Sequence, residues 1–365
     1  MKARIAVALL AGALPLSAVA AEAGVLEEIV VTAQKREQGL QEVPISVAAI
    51  NDEQIAAMLG GGDDILTLAA RVPGLYAESS NGRGAPRFYI RGLGNVDFDL
   101  AASQPVSVIM DDVVMENVTF KSFPLFDLDR VEVIRGPQGT LFGRNTTAGI
   151  VKFDTARPTQ EADGYARVAG GSLGTFILEG ALGGEIMEDT VNARLSIYHN
   201  SRDDWVSNAF TGESDVLGQF EETAVRAQVE ILPTDSFSML LTAQTRDLDG
   251  TASLFRANVF TTGQEGLNQN YDRDVIAYDD GDNNPQNIDT DIFSVKMQYE
   301  NGAYIFNSIT GYMETDYAAK GDIDGGFINA ALGTSGPGFI PFGAVTEDRA
   351  VVDQFTQEFR LQRIG

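Results

Sequence analysis

The stretch LDRVEVIRGPQGTLFGRNTTAGIVKFDTARP, residues 128–158, decides the fold of the N-terminal half of the chain. It contains two β-favouring runs, 130–135 and 149–154, joined by a segment rich in glycine and polar residues. Three glycines are expected where the backbone needs a positive φ or a close approach, namely Gly136, Gly139 and Gly143. The stretch therefore predicts two short strands of one compact domain.

Outward from this stretch, residues 42–160 predict an α+β domain. Glycine and proline bound the other strand candidates, which are residues 43–50, 75–78, 87–91 and 106–110. A short helix over 52–59 would be capped by Asp52, and a second would be capped by Asp63. The second helix has apolar residues at helical spacing and ends before Pro73, its apolar positions being Ile65, Leu68, Ala69 and Val72.

From about residue 164 the apolar residues alternate with polar ones, which is the period of a β-strand. In residues 190–200 one face carries Val191, Ala193, Leu195 and Ile197, and the other carries Asn192, Arg194 and Ser196. Eight segments share this pattern: 164–171, 175–183, 190–200, 223–232, 237–246, 291–300, 304–313 and 354–362. Several have the ~10-residue length of a transmembrane β-strand.

The connections between these segments differ in length. Residues 232–235 and 301–302 are tight turns, whereas 201–218, 247–290 and 315–353 are long. Short turns at one end and long loops at the other are typical of an antiparallel transmembrane β-barrel. A large soluble β-protein with half-buried strands is the alternative.

Composition limits the chemistry. The chain has no cysteine and one histidine, His199, so the sequence predicts neither a catalytic site, nor a metal site, nor a cofactor. The net charge of -26 argues against a nucleic-acid partner, since no basic surface is expected to neutralise phosphates. The chain is predicted not to be an enzyme. The G-x-S-x-G pattern around Ser172 lies at a strand-to-strand turn, and a surface hydrolase that uses Ser172 is the weaker alternative.

The chain begins with the pattern of a secretory signal peptide over residues 1–20. Lys2 and Arg4 precede an apolar run over 5–16, and Ala18 and Ala20 form an A-x-A cleavage site. A short β-favouring run over 28–32 follows, with no obvious pairing partner.

Three motifs together resemble the family of TonB-dependent outer-membrane receptors. They are the stretch 128–158, the run RFYIRGLG at 87–94 and the run PVSVIMDDV at 105–113. The resemblance implies a plug domain over 42–160 and an incomplete barrel over 161–365, with about eight of the twenty-two strands of such transporters. Because an eight-stranded barrel is too narrow for a plug, we expect the chain to be an N-terminal portion of a receptor.

The resemblance also implies a partner. Five residues resemble the family's TonB box: Glu28, Ile29, Val30, Val31 and Thr32. This segment would pair as a strand with TonB, which the inner-membrane proton gradient drives. Residues 21–41 would hold the box and the flexible linker, with residues 34–41 as the linker. A frayed N-terminus without a partner is the alternative.

By the same resemblance, Arg91 and Arg135 would form the latch between plug and barrel. Their RG motifs match those whose arginines pair with barrel glutamates, and Glu358 is a candidate partner. Alternatively, both arginines only fix turns within the plug.

Ligand would first meet two outward loops of the plug, 79–86 and 93–104. The candidate ligand-binding residues are Arg83, Asn95, Asp97, Phe98 and Gln104. A ferric siderophore or another anionic ferric chelate would favour Arg83, and a carbohydrate would favour the amides and Phe98. The expected function is uptake of a scarce nutrient across the outer membrane, with plug and N-terminus facing the periplasm and the wall facing lipid and lipopolysaccharide. A non-transporting surface receptor or adhesin, or a non-functional truncated fragment, are the alternatives.

Overall fold

The computed structural model describes residues 30–59, 64–328, 339–340 and 345–364. The predicted signal peptide, with Glu28 and Ile29 of the predicted TonB box, lies outside these residues. The described chain forms an N-terminal α+β domain and a large antiparallel sheet. No helix among the described residues is long and apolar enough to cross a membrane.

The N-terminal domain is built on a five-stranded sheet. The strands of the whole domain are β1 (Val30–Val31), β2 (Gln38–Gly39), β3 (Ser46–Asn51), β4 (Leu75–Glu78), β5 (Arg87–Ile90), β6 (Val106–Met110), β7 (Val113–Met115), β8 (Leu128–Arg135) and β9 (Gly149–Thr155). The central sheet has the order β3-β8-β9-β6-β7, and β1-β2 and β4-β5 are separate pairs. The helices are α1 (Asp52–Met58), α2 (Gly139–Phe142) and two 3-10 helices, Ile65–Ala70 and Val118–Lys121.

The opening stretch forms the two central strands. β8 pairs antiparallel with β9 in the middle of the sheet, and both faces of the pair are covered by apolar clusters, one of which contains Ile134 and Ile150. Val131, Val133, Val151 and Phe153 are fully buried in the core of this domain. Gly136 and Gly143 have φ values of 107° and 80°, as expected, whereas Gly139 begins α2 without a positive φ.

Two helix starts differ from the sequence prediction. The cap of α1 is Asn51, whose side chain accepts from the main-chain N–H of Gln54, so Asp52 is the first helical residue rather than the cap. The second helix is a 3-10 helix capped by Asp64, and Asp63 lies outside the described residues. Adjacent Asn and Asp residues are equally good caps, so local sequence alone does not choose between them.

The second sheet, called the wall below, consists of eight antiparallel strands. They are β10 (Asp163–Gly170), β11 (Phe176–Met187), β12 (Val191–Arg202), β15 (Phe220–Thr234), β16 (Phe237–Thr251), β18 (Pro285–Glu300), β19 (Tyr304–Asp322) and β22 (Val345–Arg363). Each pairs with the next along the chain, which confirms the eight predicted segments. The long connections carry small sheets made of β13 (Val206–Asn208), β14 (Glu213–Leu217), β17 (Val275–Ile276), β20 (Phe327–Ile328) and β21 (Phe339–Ile340).

The wall strands extend beyond their predicted ends toward the long connections. β19 reaches Asp322, nine residues past the end predicted from alternation, and β22 begins at Val345 rather than at residue 354. The extra residues pair in full register, although both of their faces carry polar side chains. On β19 the inner side chains of the extension, such as Thr315 and Tyr317, stay buried, but their polarity breaks the apolar alternation, so alternation marks only part of each strand.

The N-terminal domain packs on one face of the wall, called the inner face. Ile292, Ile309 and Met313 of the wall belong to the apolar core of that domain. A Cβ at Gly311 would lie 2.6 Å from the Val113 side chain, so glycine allows β7 to approach β19 closely. One hydrophobic core therefore joins the two parts.

Candidate functional site

The segment around Thr32 is docked against the N-terminal domain. β1 pairs with β2 in a short hairpin, and Val31 and Ala33 are fully buried. The main-chain N–H of Thr32 donates to Glu132 at 2.7 Å, and its hydroxyl donates to the same oxygen at 3.1 Å. The prediction of an unpaired strand on a flexible linker is therefore wrong for residues 30–41, because this segment finds hydrogen-bond partners within the domain.

Glu132 belongs to a buried charge network on β8 and β9. Lys152 donates to the Thr32 hydroxyl at 2.8 Å and also binds Asp154, which accepts from Arg130 at 3.0 Å. Burial raises the pKa of Glu132, although the charge of Lys152 and the Thr32 N–H oppose the rise. The docked segment is thus fixed to the two central strands.

A second contact, the N-terminal clasp, joins Lys35 to Glu358 of β22 at 2.6 Å. Gln362 of the same strand donates to the main-chain oxygen of Lys35 at 2.8 Å. Glu358 therefore binds Lys35, and not Arg91 or Arg135 as the sequence had suggested. A cavity of about 360 Å³ lies beside the clasp, lined in part by Asp112, Phe142 and Ile309.

The most buried ion pairs between the described parts of the domain and the wall form the arginine clamp, which consists of Asp127, Arg194 and Arg226. Arg194 of β12 donates two hydrogen bonds to the Asp127 carboxylate, at 2.8 and 2.6 Å, and Ser196 donates a third. Arg226 of β15 donates to the main-chain oxygens of Phe126 and Asp127 at 3.0 and 2.8 Å. Asp127 is 6% exposed and has a φ of 48°, which turns its side chain toward the wall.

The clamp also has an aromatic component. The Arg226 guanidinium lies 4.5 Å from the ring centre of Phe126, and Tyr198 stacks on that ring at 5.6 Å. Burial alone would raise the pKa of Asp127, but hydrogen bonds from Arg194 and Ser196 hold it below its ordinary value. The carboxylate is therefore charged and fully compensated at neutral pH.

Two further ion-pair groups connect the domain to the wall. Glu222 of β15 accepts from Arg83 at 3.1 Å and from Arg246 of β16 at 2.8 Å. Asp112, in the turn between β6 and β7, binds Lys296 of β18 and lies 3.7 Å from Arg360 of β22. The domain is thus attached to the wall by charges along most of the sheet.

The structure separates the predicted ligand-binding residues into two groups. Asn95, Asp97 and Phe98 lie together in an exposed loop, where Asn95 accepts from the Asp97 N–H at 3.0 Å and Phe98 is 73% exposed. Arg83 instead contacts the wall, and Gln104 is buried with neither amide atom hydrogen-bonded to a described residue.

The predicted latch arginines make their described contacts within the N-terminal domain. The Arg91 N–H donates to the Gly74 oxygen at 2.7 Å, and Arg135 donates to the Pro73 oxygen at 3.3 Å. Neither forms an ion pair with a described residue. These contacts match the alternative role in turns, and the latch remains a prediction.

Comparison with known proteins identifies the architecture. A family model for the TonB-dependent receptor plug domain matches residues 39–150. This part of the chain is a plug domain of the TonB-dependent receptor type. The vitamin B12 transporter BtuB of Photobacterium profundum is 28% identical over 192 residues, covering 51% of this chain and 30% of that protein. The pesticin receptor of Yersinia enterocolitica is 24% identical over 249 residues, covering 68% of this chain and 35% of that protein.

A solved structure shows the same fold. The ferric yersiniabactin uptake receptor FyuA of Yersinia pestis superposes with a TM-score of 0.71 at 20% identity, covering 88% of this chain and 46% of that one. The chain thus spans about a third of the length of these curated relatives and under half of the FyuA structure. In TonB-dependent receptor terms, the N-terminal domain is the plug and the wall is part of the barrel.

Proposed function

We propose that this chain acts in a TonB-dependent transporter that binds a scarce nutrient outside the cell and imports it when TonB pulls on the segment over residues 28–32. The observation that carries the proposal is the connection from this segment into the plug. Thr32 is bonded to Glu132 on the central strand β8, so a force on the segment acts directly on the plug sheet. The protein would move the nutrient across the outer membrane and would catalyse no covalent reaction.

The wall's outer face supports an outer-membrane location. Phe293, Tyr312 and Phe355 lie directly opposite one another across three strands, and Tyr299 faces Phe306 six residues farther along β18. Six residues span ~20 Å, close to the height of the apolar band between the aromatic girdles of such barrels. The short turns would face the periplasm.

Beyond the row formed by Phe293, Tyr312 and Phe355, the outer face becomes acidic. Asp291, Glu314 and Asp353 lie opposite one another in the next outward row, on the side of the long connections. Carboxylates at this level would meet the divalent cations and phosphates of lipopolysaccharide. We propose that lipid contacts the aromatic band and that lipopolysaccharide contacts this acidic row.

A ferric siderophore is the first choice of ligand. The proposal draws on the likeness to FyuA, a ferric yersiniabactin uptake receptor, and on the largely buried Arg83, which suits an anionic chelate. A cobalamin or a carbohydrate is the alternative, since BtuB is named a vitamin B12 transporter.

The test is energised uptake in cells with and without a working TonB segment. We expect Ile29→Pro to abolish uptake, because proline removes a main-chain donor and blocks strand addition. The matched control is Gln41→Pro, at an exposed residue outside the segment. Equal uptake in Ile29→Pro and wild type would contradict the transporter proposal and favour a non-transporting surface receptor or adhesin.

A further inference from the structure

Five side chains stack alternately at the end of the wall that carries the long connections. The order is guanidinium, ring, guanidinium, ring, guanidinium, and the members are Arg83, Phe220, Arg202, Trp205 and Arg273. Successive guanidinium-to-ring distances are 4.0, 5.0, 5.9 and 5.1 Å. We call this set the guanidinium ladder. It runs from the plug to a long connection between wall strands.

The ladder follows from the register of the wall. Arg202 of β12 lies directly opposite Phe220 of β15, at the last position of the inward-facing series of β12. Arg83 reaches the other side of the Phe220 ring from the plug, where its main-chain N–H donates to Gln286 at 2.9 Å. Two domains and a loop connection therefore contribute to one stack.

The charges of the ladder are incompletely neutralised. Arg83 pairs with Glu222 and Arg273 pairs with Asp274, but Arg202 forms no ion pair with any described residue. Its described hydrogen bond goes to the Gly218 oxygen at 3.3 Å, and the charge that acts on it most is that of Arg83, which has the same sign. In a chain with 52 acidic and 26 basic residues, a half-buried guanidinium without a carboxylate is unexpected.

The neighbouring acids do not supply the missing carboxylate. Asp204 accepts from the Gln219 N–H at 3.0 Å, and the Asp203 carboxylate packs against Gly174. The Nε–H groups of Arg83 and Arg202 are buried and have no acceptor among the described residues. Buried donors without a partner are uncommon in folded proteins, so the ladder has donors left for an additional acceptor.

We propose that the guanidinium ladder binds the anionic ligand of this receptor, selecting a chelate whose negative charge is spread over planar carboxylate or ring-oxygen groups. Planar groups of this kind accept paired hydrogen bonds from arginine and stack beside its guanidinium plane. The inference rests on the proposed function and adds the class of substrate. It assigns Arg202 and Trp205, which the sequence did not single out, to specificity.

The single tryptophan of the chain provides a direct test, because Trp205 lies inside the ladder. The full chain in outer-membrane vesicles is titrated with iron(III) tris-catecholate and iron(III) citrate, which are anionic, and with iron(III) tris-acetohydroxamate, which is neutral. Retention of radio-iron and quenching of Trp205 fluorescence are measured together. We expect saturable binding and quenching with at least one anionic probe, weakened by salt, and none with the neutral probe.

Variants locate the binding to the ladder. We expect Arg202→Gln to weaken binding of the anionic probe about tenfold, and Arg202→Lys to weaken it less because the charge remains. Arg349→Gln, at an exposed arginine on β22, is the matched control and should bind like wild type. Arg273→Gln changes an exposed loop residue and remains informative if Arg202→Gln fails to assemble.

Two results would overturn the inference. One is equal binding of the neutral and the anionic iron chelates, or binding of a neutral sugar in place of the chelates. The other is unchanged affinity in both Arg202→Gln and Arg273→Gln. If either occurs while uptake still depends on Ile29, the ladder does not bind the ligand, and the proposed transport function still holds. Uptake that is independent of Ile29 contradicts the transport function whatever the ladder binds.

Discussion

Ion pairs hold the plug to the wall at two places that differ in burial. In the arginine clamp, Asp127 and Arg194 are 6% and 5% exposed, and every carboxylate oxygen has a donor. In the N-terminal clasp, the Lys35 side chain is 7% exposed, but that of Glu358 is 33% exposed and borders a cavity of about 360 Å³. The same chemistry therefore gives one permanent attachment and one attachment that water can reach.

The difference matters because the two contacts lie at different distances from the N-terminus. Breaking a buried pair leaves a charge without solvent, which costs about 3–5 kcal/mol, whereas a partly exposed pair contributes about 0–1 kcal/mol. A force applied to the N-terminal segment meets Lys35 first and Asp127 much later along the chain. The weak contact can then open while the strong one keeps the rest of the plug in place.

Asp127→Asn tests the strong contact and should have the largest effect. Asparagine keeps the shape of the side chain but leaves two buried arginines with less compensation. We expect a loss of about 3 kcal/mol in the free energy of plug unfolding, at the low end for a buried pair, because Arg194 still reaches Asp163 at 2.9 Å. Urea unfolding followed by protease accessibility of the plug measures it.

The control for this prediction is Asp129→Asn, two residues away, where the side chain is 55% exposed. We expect that change to be close to neutral. If Asp127→Asn were no more sensitive to urea than Asp129→Asn, the clamp would not be the strong attachment.

The pH dependence of the same pair of proteins gives a second, smaller effect. The pKa of Asp127 is lowered in the folded state despite its burial, by Arg194, Ser196 and Arg226. A lowered pKa means that its contribution is complete above the unfolded value of about 3.9 and is lost as pH falls through the folded value. We therefore expect the stability difference between wild type and Asp127→Asn to be constant above about pH 5 and to shrink below about pH 4.

Measuring both proteins over the same pH range removes the contribution of the other carboxylates. A difference that stayed constant down to pH 3 would show that the Asp127 carboxylate is not what the arginines stabilise.

The sequence predicted one side of the clamp and missed the other. Alternation along residues 190–200 assigned Arg194 and Ser196 to the polar face of a strand, and the structure has both on the inner face of β12. The charged residue on that polar face, Arg194, was the signal that the sequence offered for the clamp. Asp127 gave none, because its role depends on a left-handed turn and on contacts with residues 67 and 69 positions away.

The N-terminal segment shows why the predicted linker was wrong. Composition made residues 34–41 look flexible, and polar residues are indeed frequent there. The docking of this segment comes from single long-range bonds, such as Thr32 to Glu132 and Lys35 to Glu358, which are 100 and 323 residues apart. Local pattern predicts strands and their faces well, but it does not carry information on which distant side chain satisfies a given donor.

Glu358→Gln tests the weak contact and should have the smallest effect on stability. The clasp is partly exposed, so its loss should change the free energy of plug unfolding by less than about 1 kcal/mol. Its loss should still release the segment, and trypsin cleavage after Lys35 and Arg36 should rise by up to about fivefold, the factor that corresponds to 1 kcal/mol. High salt should bring wild type close to the variant, because screening weakens the same pair.

The control for Glu358→Gln is Glu347→Gln on the same strand, where the side chain is 59% exposed and pairs with Arg349. Cleavage equal to that of the control would mean that Lys35 is held mainly by Gln362 and by Phe142, whose ring centre lies 4.9 Å from the Lys35 ammonium. A loss of stability as large as that of Asp127→Asn would remove the distinction between a permanent and a releasable attachment, since burial would then not decide which contact opens first.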